Sequence, residues 1–238
     1  MSKSDKSRPP IENRLLATLP AEEYERLRPH LEPVTLKLRD VLYREGDIIR
    51  HAWFPHTAMV SLVSVMNTNR RIEVGLVGSE GMVSTVSFMG GETATSDAIV
   101  QIQNGAARME AGVLREEFRR GGVLQELLLR YAQSLYVQVS QTAACNRLHS
   151  MDERLARWLL MTRDRARTDE LELTQEFLAI MLGSERSGVT LAAIALQDAE
   201  LIKYSRGKIT LLNRKKLEAA SCECYEKVRK FSDHVLKV

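Results

Sequence analysis

Apolar residues follow three different textures along the chain. From Val34 to Met109 they come in short alternating or continuous runs: Leu36-x-Leu38, Val41 to Tyr43, His51 to Phe54, Met59 to Val65, Ile72 to Val77 and Ala98 to Ile102. Turn residues separate the runs, at Glu45-Gly46-Asp47, Asn67-Thr68-Asn69, Gly78-Ser79-Glu80-Gly81, Gly90-Gly91 and Asn104-Gly105. Many short strands with regular turns predict an antiparallel sandwich, jelly roll or barrel. From Val123 to Leu148 there is neither Pro nor Gly, and the period becomes helical. Leu124, Leu128, Tyr131, Leu135, Gln138, Thr142 and Cys145 recur at three-four spacing, as on the seam of a coiled coil. A helix this long predicts a homodimer joined along that seam. A shorter helix is expected over Ala111 to Arg120, and two short ones near Leu15–Leu19 and after Pro20.

The third texture runs from Ser150 to the end. Ser150 and Glu153 read as a capping box, so a helix starts there and a hinge lies near Arg147 to Ser150. Asp169 to Leu173 reads as a short strand. Thr174 suits a helix N-cap, because its hydroxyl can accept from orphan amides of the first turn. Phe177, Leu178, Met181 and Leu182 then recur at helical spacing, and Gly183 stops the run. Ser184 is positioned to cap a second helix whose buried face is Val189, Ala192, Ala193 and Leu196. Ala179 is small enough to let that helix cross closely. Two short helices across a Gly turn are a helix-turn-helix signature. Leu201 to Tyr204 and Lys208 to Leu211, around Ser205-Arg206-Gly207, add a hairpin and so predict a winged unit. Leu217, Ala220, Cys224, Val228, Phe231 and Val235 then mark one face of a C-terminal amphipathic helix.

The second helix of such a unit enters the DNA major groove by its N-terminal end. That end carries Ser184, Glu185, Arg186, Ser187 and Thr190. Arg186 can fork two N–H groups onto guanine O6 and N7. The wing offers Lys203, Arg206 and Lys208 to phosphates, and Thr174 and Gln175 open the first helix toward the same backbone. The competing readings are a scaffold whose winged unit binds protein, and a jelly-roll metalloenzyme with an accessory helical domain. The latter needs clustered ligands on neighbouring strands. The strand region offers only His51 and His56, which fall on opposite faces, and neither a phosphate loop nor a G-x-S-x-G elbow is present.

Composition narrows this further. The chain has 238 residues, a net charge of +3 and an apolar fraction of 44%, enough for two modest cores. So small a charge does not itself argue for nucleic acid; the placement of the basic residues does. Three cysteines in irregular spacing fit a reducing interior. No signal peptide is read and no apolar run reaches the ~20 residues that span a bilayer, so a cytoplasmic protein without membrane contact is expected. Met1 to Pro10 reads as a disordered tail. Cys222-Glu223-Cys224 is not read as a metal pair, because a spacing of two on a helix points the sulfurs to different faces. Cys145, on the expected seam, would meet its symmetry mate, which leaves a thiol- or metal-responsive regulator as an alternative. No catalytic or metal-ligating residues are assigned.

Several stretches carry a family resemblance. They are Leu42-Tyr43-Arg44-Glu45-Gly46-Asp47, Phe54-Pro55 with Val60-Ser61-Leu62, Val77-Gly78-Ser79-Glu80-Gly81-Met82, Leu173-Thr174-Gln175-Glu176, and Leu182 to Thr190. Together they resemble the Crp/Fnr family of bacterial transcription regulators over nearly the whole chain. The resemblance implies an α+β protein: an N-terminal antiparallel β-roll at 1–122 for an effector, a dimerisation helix and hinge at 123–149, and a winged helix-turn-helix with its C-terminal helix at 150–238. It implies a homodimer on palindromic double-stranded DNA that works with RNA polymerase. Members that bind cyclic AMP hold its phosphate with Arg-Ser and its ribose with a Glu after Gly. Here Met82 follows Gly81, and Thr95-Ser96-Asp97 stands where Arg-Ser would. The cyclic AMP mode is therefore not expected. A modified pocket for an unidentified small molecule would use Gly81, Met82, Val83, Thr95, Ser96 and Ser140. A regulator without any ligand is the other reading. No cysteine precedes Cys145, so the N-terminal iron–sulfur cluster of oxygen-sensing members is not expected, nor is haem. In the reading helix Arg186 keeps the family pattern, while Ser187 and Leu191 replace its Glu and second Arg, so the operator should differ.

Overall fold

A computed structural model describes residues 11–68 and 70–237. The N-terminal tail, Met1 to Pro10, and Asn69 of the expected turn lie outside the described residues. The first helix, α1 (Arg14–Ala17), is held by its cap. Asn13 accepts from the Leu16 amide at 3.0 Å and donates to the Pro55 and Gly81 carbonyls at 2.8 and 2.9 Å. Helix α2 (Ala21–Leu27) follows Pro20.

Seven strands then form the roll: β1 (Glu32–Leu36), β2 (Val41–Tyr43), β3 (His51–Pro55), β4 (Met59–Val65), β5 (Arg71–Val77), β6 (Asp97–Ile102) and β7 (Asn104–Glu110). They make two antiparallel sheets, ordered β1-β7-β3 and β2-β6-β4-β5. Leu36, Val60, Val77, Val83, Ala98 and Val100 are buried between them. Strand β7 departs from the sequence expectation, which took Asn104-Gly105 as a turn. It is the central strand of its sheet, yet Ala106, Ala107 and Met109 carry its buried positions. Alanine is a poor strand signal because it offers little side chain to pack across a pleat. Leu38 lies beyond the end of β1 and is exposed.

Helices α3 (Ala111–Arg119) and α4 (Val123–Leu148) stand where the periodicity puts them. The stripe taken as a dimer seam, however, faces its own chain. Leu124, Leu128 and Tyr131 share a core with Phe54, Met82 and Leu114. Leu135 packs at Gly75. The Gln138 amide bonds both backbone groups of Leu76, at 2.9 and 3.1 Å. Thr142 accepts from Arg157 at 2.9 Å, and Cys145 is buried. Three-four spacing reports an apolar stripe without saying whether a partner or the same chain covers it. A second stripe at the same spacing, Leu129, Gln133, Tyr136, Ser140, Ala143 and Arg147, faces solvent.

Helix α5 (Met151–Ala166) opens with the expected capping box of Ser150 and Glu153. It is buried over much of its surface, and its core is continuous with the roll: Met59, Val63 and Leu76 cluster with Trp158 and Leu159 and with Leu178, Val189 and Leu196 further on. Buried polar links cross the same boundary, two of them through carboxylates. Arg165 pairs with Glu80 at 2.7 Å, both side chains being buried. Glu73 accepts from Trp158 Nε1 at 2.8 Å and from the Ser61 hydroxyl. Burial raises the Glu73 carboxyl to about 7.

The expected C-terminal helix is two helices, α8 (Arg214–Ala220) and α9 (Cys224–Val235). Ser221 ends the first in extended conformation, its hydroxyl donating to the Glu218 carbonyl at 2.8 Å. Such side-chain back-bonding competes with helix continuation. Cys224, Val228 and Val235 are buried, while Phe231 is 39% exposed.

Candidate nucleic-acid interface

Helix α6 (Gln175–Met181) is capped by Thr174, whose hydroxyl accepts from the Phe177 amide at 3.2 Å. Gly183 has φ +57°, in the left-handed region that only glycine enters readily. The Gly183 and Ser184 amides then donate back to the Ile180 and Ala179 carbonyls. Helix α7 (Arg186–Asp198) follows, with Glu185, not Ser184, at its N-cap. The shift arises because Ser184 is held in the turn by its bond to Ala179. As expected, Val189, Ala192, Ala193 and Leu196 are the buried face. The opposite face presents Arg186, Ser187, Leu191 and Ile194 to solvent.

Strands β8 (Glu170–Glu172), β9 (Ile202–Ser205) and β10 (Lys208–Leu211) form the wing in the order β8-β10-β9. Arg206 and Gly207 make its turn with φ +50° and +77°, as a two-residue hairpin requires. Tyr204 ties the wing down: its amide donates to Gln197 at 2.9 Å and its hydroxyl to the Leu173 carbonyl at 3.1 Å.

A cleft of about 380 Å³ runs between these pieces, lined by Thr174, Gln175, Arg186, Tyr204, Ser205, Arg206 and Gly207. Four of the ten sequence-assigned residues therefore converge: Thr174, Gln175, Arg186 and Arg206. Arg186, Arg206 and Lys203 make no ion pair among the described residues. Ser187 stands exposed on the next position of α7. Thr190 is turned to a structural task, its hydroxyl lying 2.8 Å from the Arg186 carbonyl and 3.1 Å from Gln175 Oε1. Lys203 is exposed on β9, outside the cleft. Lys208 pairs with Glu170 at 2.6 Å. Ser184 and Glu185 line a different cleft, of about 490 Å³, facing Met66, Arg70 and Ile72 of the β4–β5 hairpin. There Glu185 pairs with Arg70 at 3.4 Å. Tyr204 and Ser205 in the first cleft, and this hairpin contact, were not singled out from the sequence. Tyr204 had a strand pattern to place it; the contact had no local signal.

Residues 153–220 match the family model described as the Crp-like helix-turn-helix domain. The chain carries a Crp-like helix-turn-helix domain. The wider architecture agrees, since solved structures, Crp/Fnr-family regulators among them, superpose on about four-fifths of the chain. FixK2 from Bradyrhizobium japonicum is 15% identical, with TM-score 0.67 over 81% of this chain and 98% of its own. The c-di-GMP responsive global regulator CLP from Xanthomonas campestris is 17% identical, with TM-score 0.64 over 82% and 100%. A CRP/FNR family transcriptional regulator from Thermus thermophilus is 20% identical, with TM-score 0.62 over 82% and 98%. The chain has the Crp/Fnr fold: an antiparallel roll, a long helix and the Crp-like domain. No curated protein matches the sequence.

The six residues considered for an effector lie as follows. Gly81, Met82 and Val83 are buried, and a methyl group at Gly81 would overlap the Tyr131 ring. The Tyr131 hydroxyl donates to the Met82 carbonyl at 2.9 Å. Thr95 and Ser140 are exposed and Ser96 is half-buried. None of the six lines either cleft beside the Crp-like domain. Among the described residues, His51 and His56 belong to no cluster of metal-ligand type; such a cluster stands instead at Cys145, His149, Cys222 and Cys224. Cys145 is thus turned inward, not toward a symmetry mate. The Cys222 and Cys224 sulfurs converge, because Cys222 precedes the first turn of α9 and does not share its helical spacing.

Proposed function

We propose that the protein is a homodimeric, sequence-specific transcription regulator that reads double-stranded DNA with its Crp-like domain. The observation that carries this is the Arg186 guanidinium at the start of α7, without an ion pair among the described residues, beside the Arg206 turn and Thr174. Arg186 reads a guanine edge and Leu191, exposed one turn on, meets a thymine methyl. Arg206, Lys203 and the Thr174 hydroxyl meet phosphates and set the register. Dimerisation uses the exposed stripe of α4 centred on Tyr136, because the inward stripe is already covered. Two-fold symmetry then places half-sites about 34 Å apart. No single helix among the described residues is long and apolar enough to cross a membrane.

Regulation acts on the hinge at 147–150. Ser184 and Glu185 face the β4–β5 hairpin, so the reading helix is partly covered by its own roll. A DNA-competent state needs that contact to open, and whatever binds the open state better shifts the population toward it. Random-site selection with the purified full chain tests the proposal. Enrichment of a palindrome is expected, and Tyr136→Glu should give a monomer in sedimentation that enriches none. Failure of the wild-type chain to enrich any sequence overturns the reading and favours a protein-binding scaffold.

A further inference from the structure

Cys145 lies in the last full turn of α4, His149 just past its end, and Cys222 and Cys224 flank Glu223 where α9 begins. Their three Sγ atoms and one imidazole nitrogen lie within 4.8 Å of one another. Cys145 Sγ stands 3.5 Å from Cys222 Sγ, and Cys224 Sγ stands 3.6 Å from His149 Nδ1. The three cysteines are buried and form a small core of their own. Cys145 and His149 are four apart, so one helical face carries both. The break between α8 and α9 then swings the other two sulfurs onto that face.

We propose that Cys145, His149, Cys222 and Cys224 bind one zinc ion in a closed tetrahedral site, fastening the C-terminal helix to the hinge end of the long helix. Three thiolates and one neutral imidazole are a donor set that zinc takes in structural sites. Ligand bonds of about 2.0–2.3 Å put neighbouring donor atoms roughly 3.5–3.8 Å apart. The group needs to contract by about an ångström at its widest.

The surroundings fit a metal ligand set and not merely a buried sulfur patch. His149 turns Nδ1 to Cys224 and Nε2 to the Glu223 carboxylate, 3.2 Å away. A carboxylate on the far nitrogen fixes the tautomer that leaves the near lone pair free for a metal. Gln141 Nε2 reaches Cys224 Sγ at 3.2 Å, a donor suited to a thiolate. Three thiolates and Zn²⁺ sum to one negative charge. The buried guanidiniums of Arg154 and Arg157 on α5 stand close enough for their fields to act on Cys145. Free Cys145 and Cys222 are well beyond the ~2.05 Å of a disulfide. Binding releases the three thiol protons to solvent and oxidises nothing.

The test uses the full chain, purified under reducing conditions, loaded with zinc and freed of excess, with no DNA present. One zinc per chain is expected. The cobalt(II)-exchanged form should show the intense ligand-field absorption of a four-coordinate site with thiolate charge transfer. Cys224→Ser should lose the stoichiometric metal. Glu223→Gln alters an exposed side chain that is no ligand, so its fold should be intact, and its zinc affinity should fall about 10–100-fold. If Cys224→Ser does not fold by circular dichroism, the Glu223→Gln titration and the cobalt spectrum decide. A reduced, folded chain without bound zinc overturns the proposal. So does a weak six-coordinate cobalt spectrum, an iron–sulfur chromophore in the protein as isolated, or a Glu223→Gln affinity equal to wild type.

Discussion

In the Crp-like domain Arg186, Ser187 and Arg206 stand in solvent, and neither arginine has an ion-pair partner among the described residues. In the roll Ser61, Glu73, Glu80 and Asp97 are buried, each with a partner. A buried polar group destabilises the fold unless its hydrogen bonds are made, and a solvated one contributes little to it. These four residues of the roll are therefore committed to holding the molecule together, and the exposed side chains of α7 and the wing turn are free for something else. Changes of the same kind should then register as lost stability in one region and lost DNA affinity in the other.

The largest effect is expected at the buried link between the two. Arg165→Ala leaves Glu80 buried without its cation and should cost about 3–5 kcal/mol in urea unfolding. The double change Glu80→Gln with Arg165→Met should recover most of that. A single-variant loss below about 1 kcal/mol would show the link to be solvated. Next comes Glu73. Its folded carboxyl titrates near 7, above the ordinary 4.5, so the native state holds a proton that the unfolded chain has released. Stability is then greatest below pH 4.5 and falls as pH rises toward 7, by about 3 kcal/mol in all. Glu73→Gln should be more stable than wild type at pH 8, and the gap should close near pH 4.5. A gap independent of pH would contradict the raised value.

On the open surface, Arg186→Ala should cost about 1–3 kcal/mol in operator binding, at one base pair, with an unchanged melting temperature. A lowered melting temperature would erase the contrast between the regions. The smallest effect separates two wing cations. Arg206→Ala should lower the salt slope of DNA binding by about 1. Lys208→Ala should lower it less, because Lys208 already faces Glu170.

What the sequence disclosed follows the same division. Caps, turns and the buried face of α7 depend on residues a few positions apart, so Thr174, Gly183, Val189 and the Arg206-Gly207 turn were legible. The end of α4 and the start of α5 were legible for the same reason. Strand β7 was not, since its alanines are recognisable as core only once β1 and β3 flank them. The covered face of α4 was misassigned because a heptad pattern does not name what it packs against. The sulfur cluster was missed because it joins segments 77 residues apart across a helix break. The resemblance supplied the architecture of the roll.

Strand β5 ends its sheet, so a row of main-chain donors and acceptors is left without a neighbouring strand. Gln138 answers part of that row from a helix, occupying the amide and carbonyl of Leu76 as another strand's backbone would. One side chain thereby denies the sheet margin to any stray chain that would dock there by strand addition. Shortening it to alanine would uncover a sticky border, and aggregation on standing, more than unfolding, would be its signature.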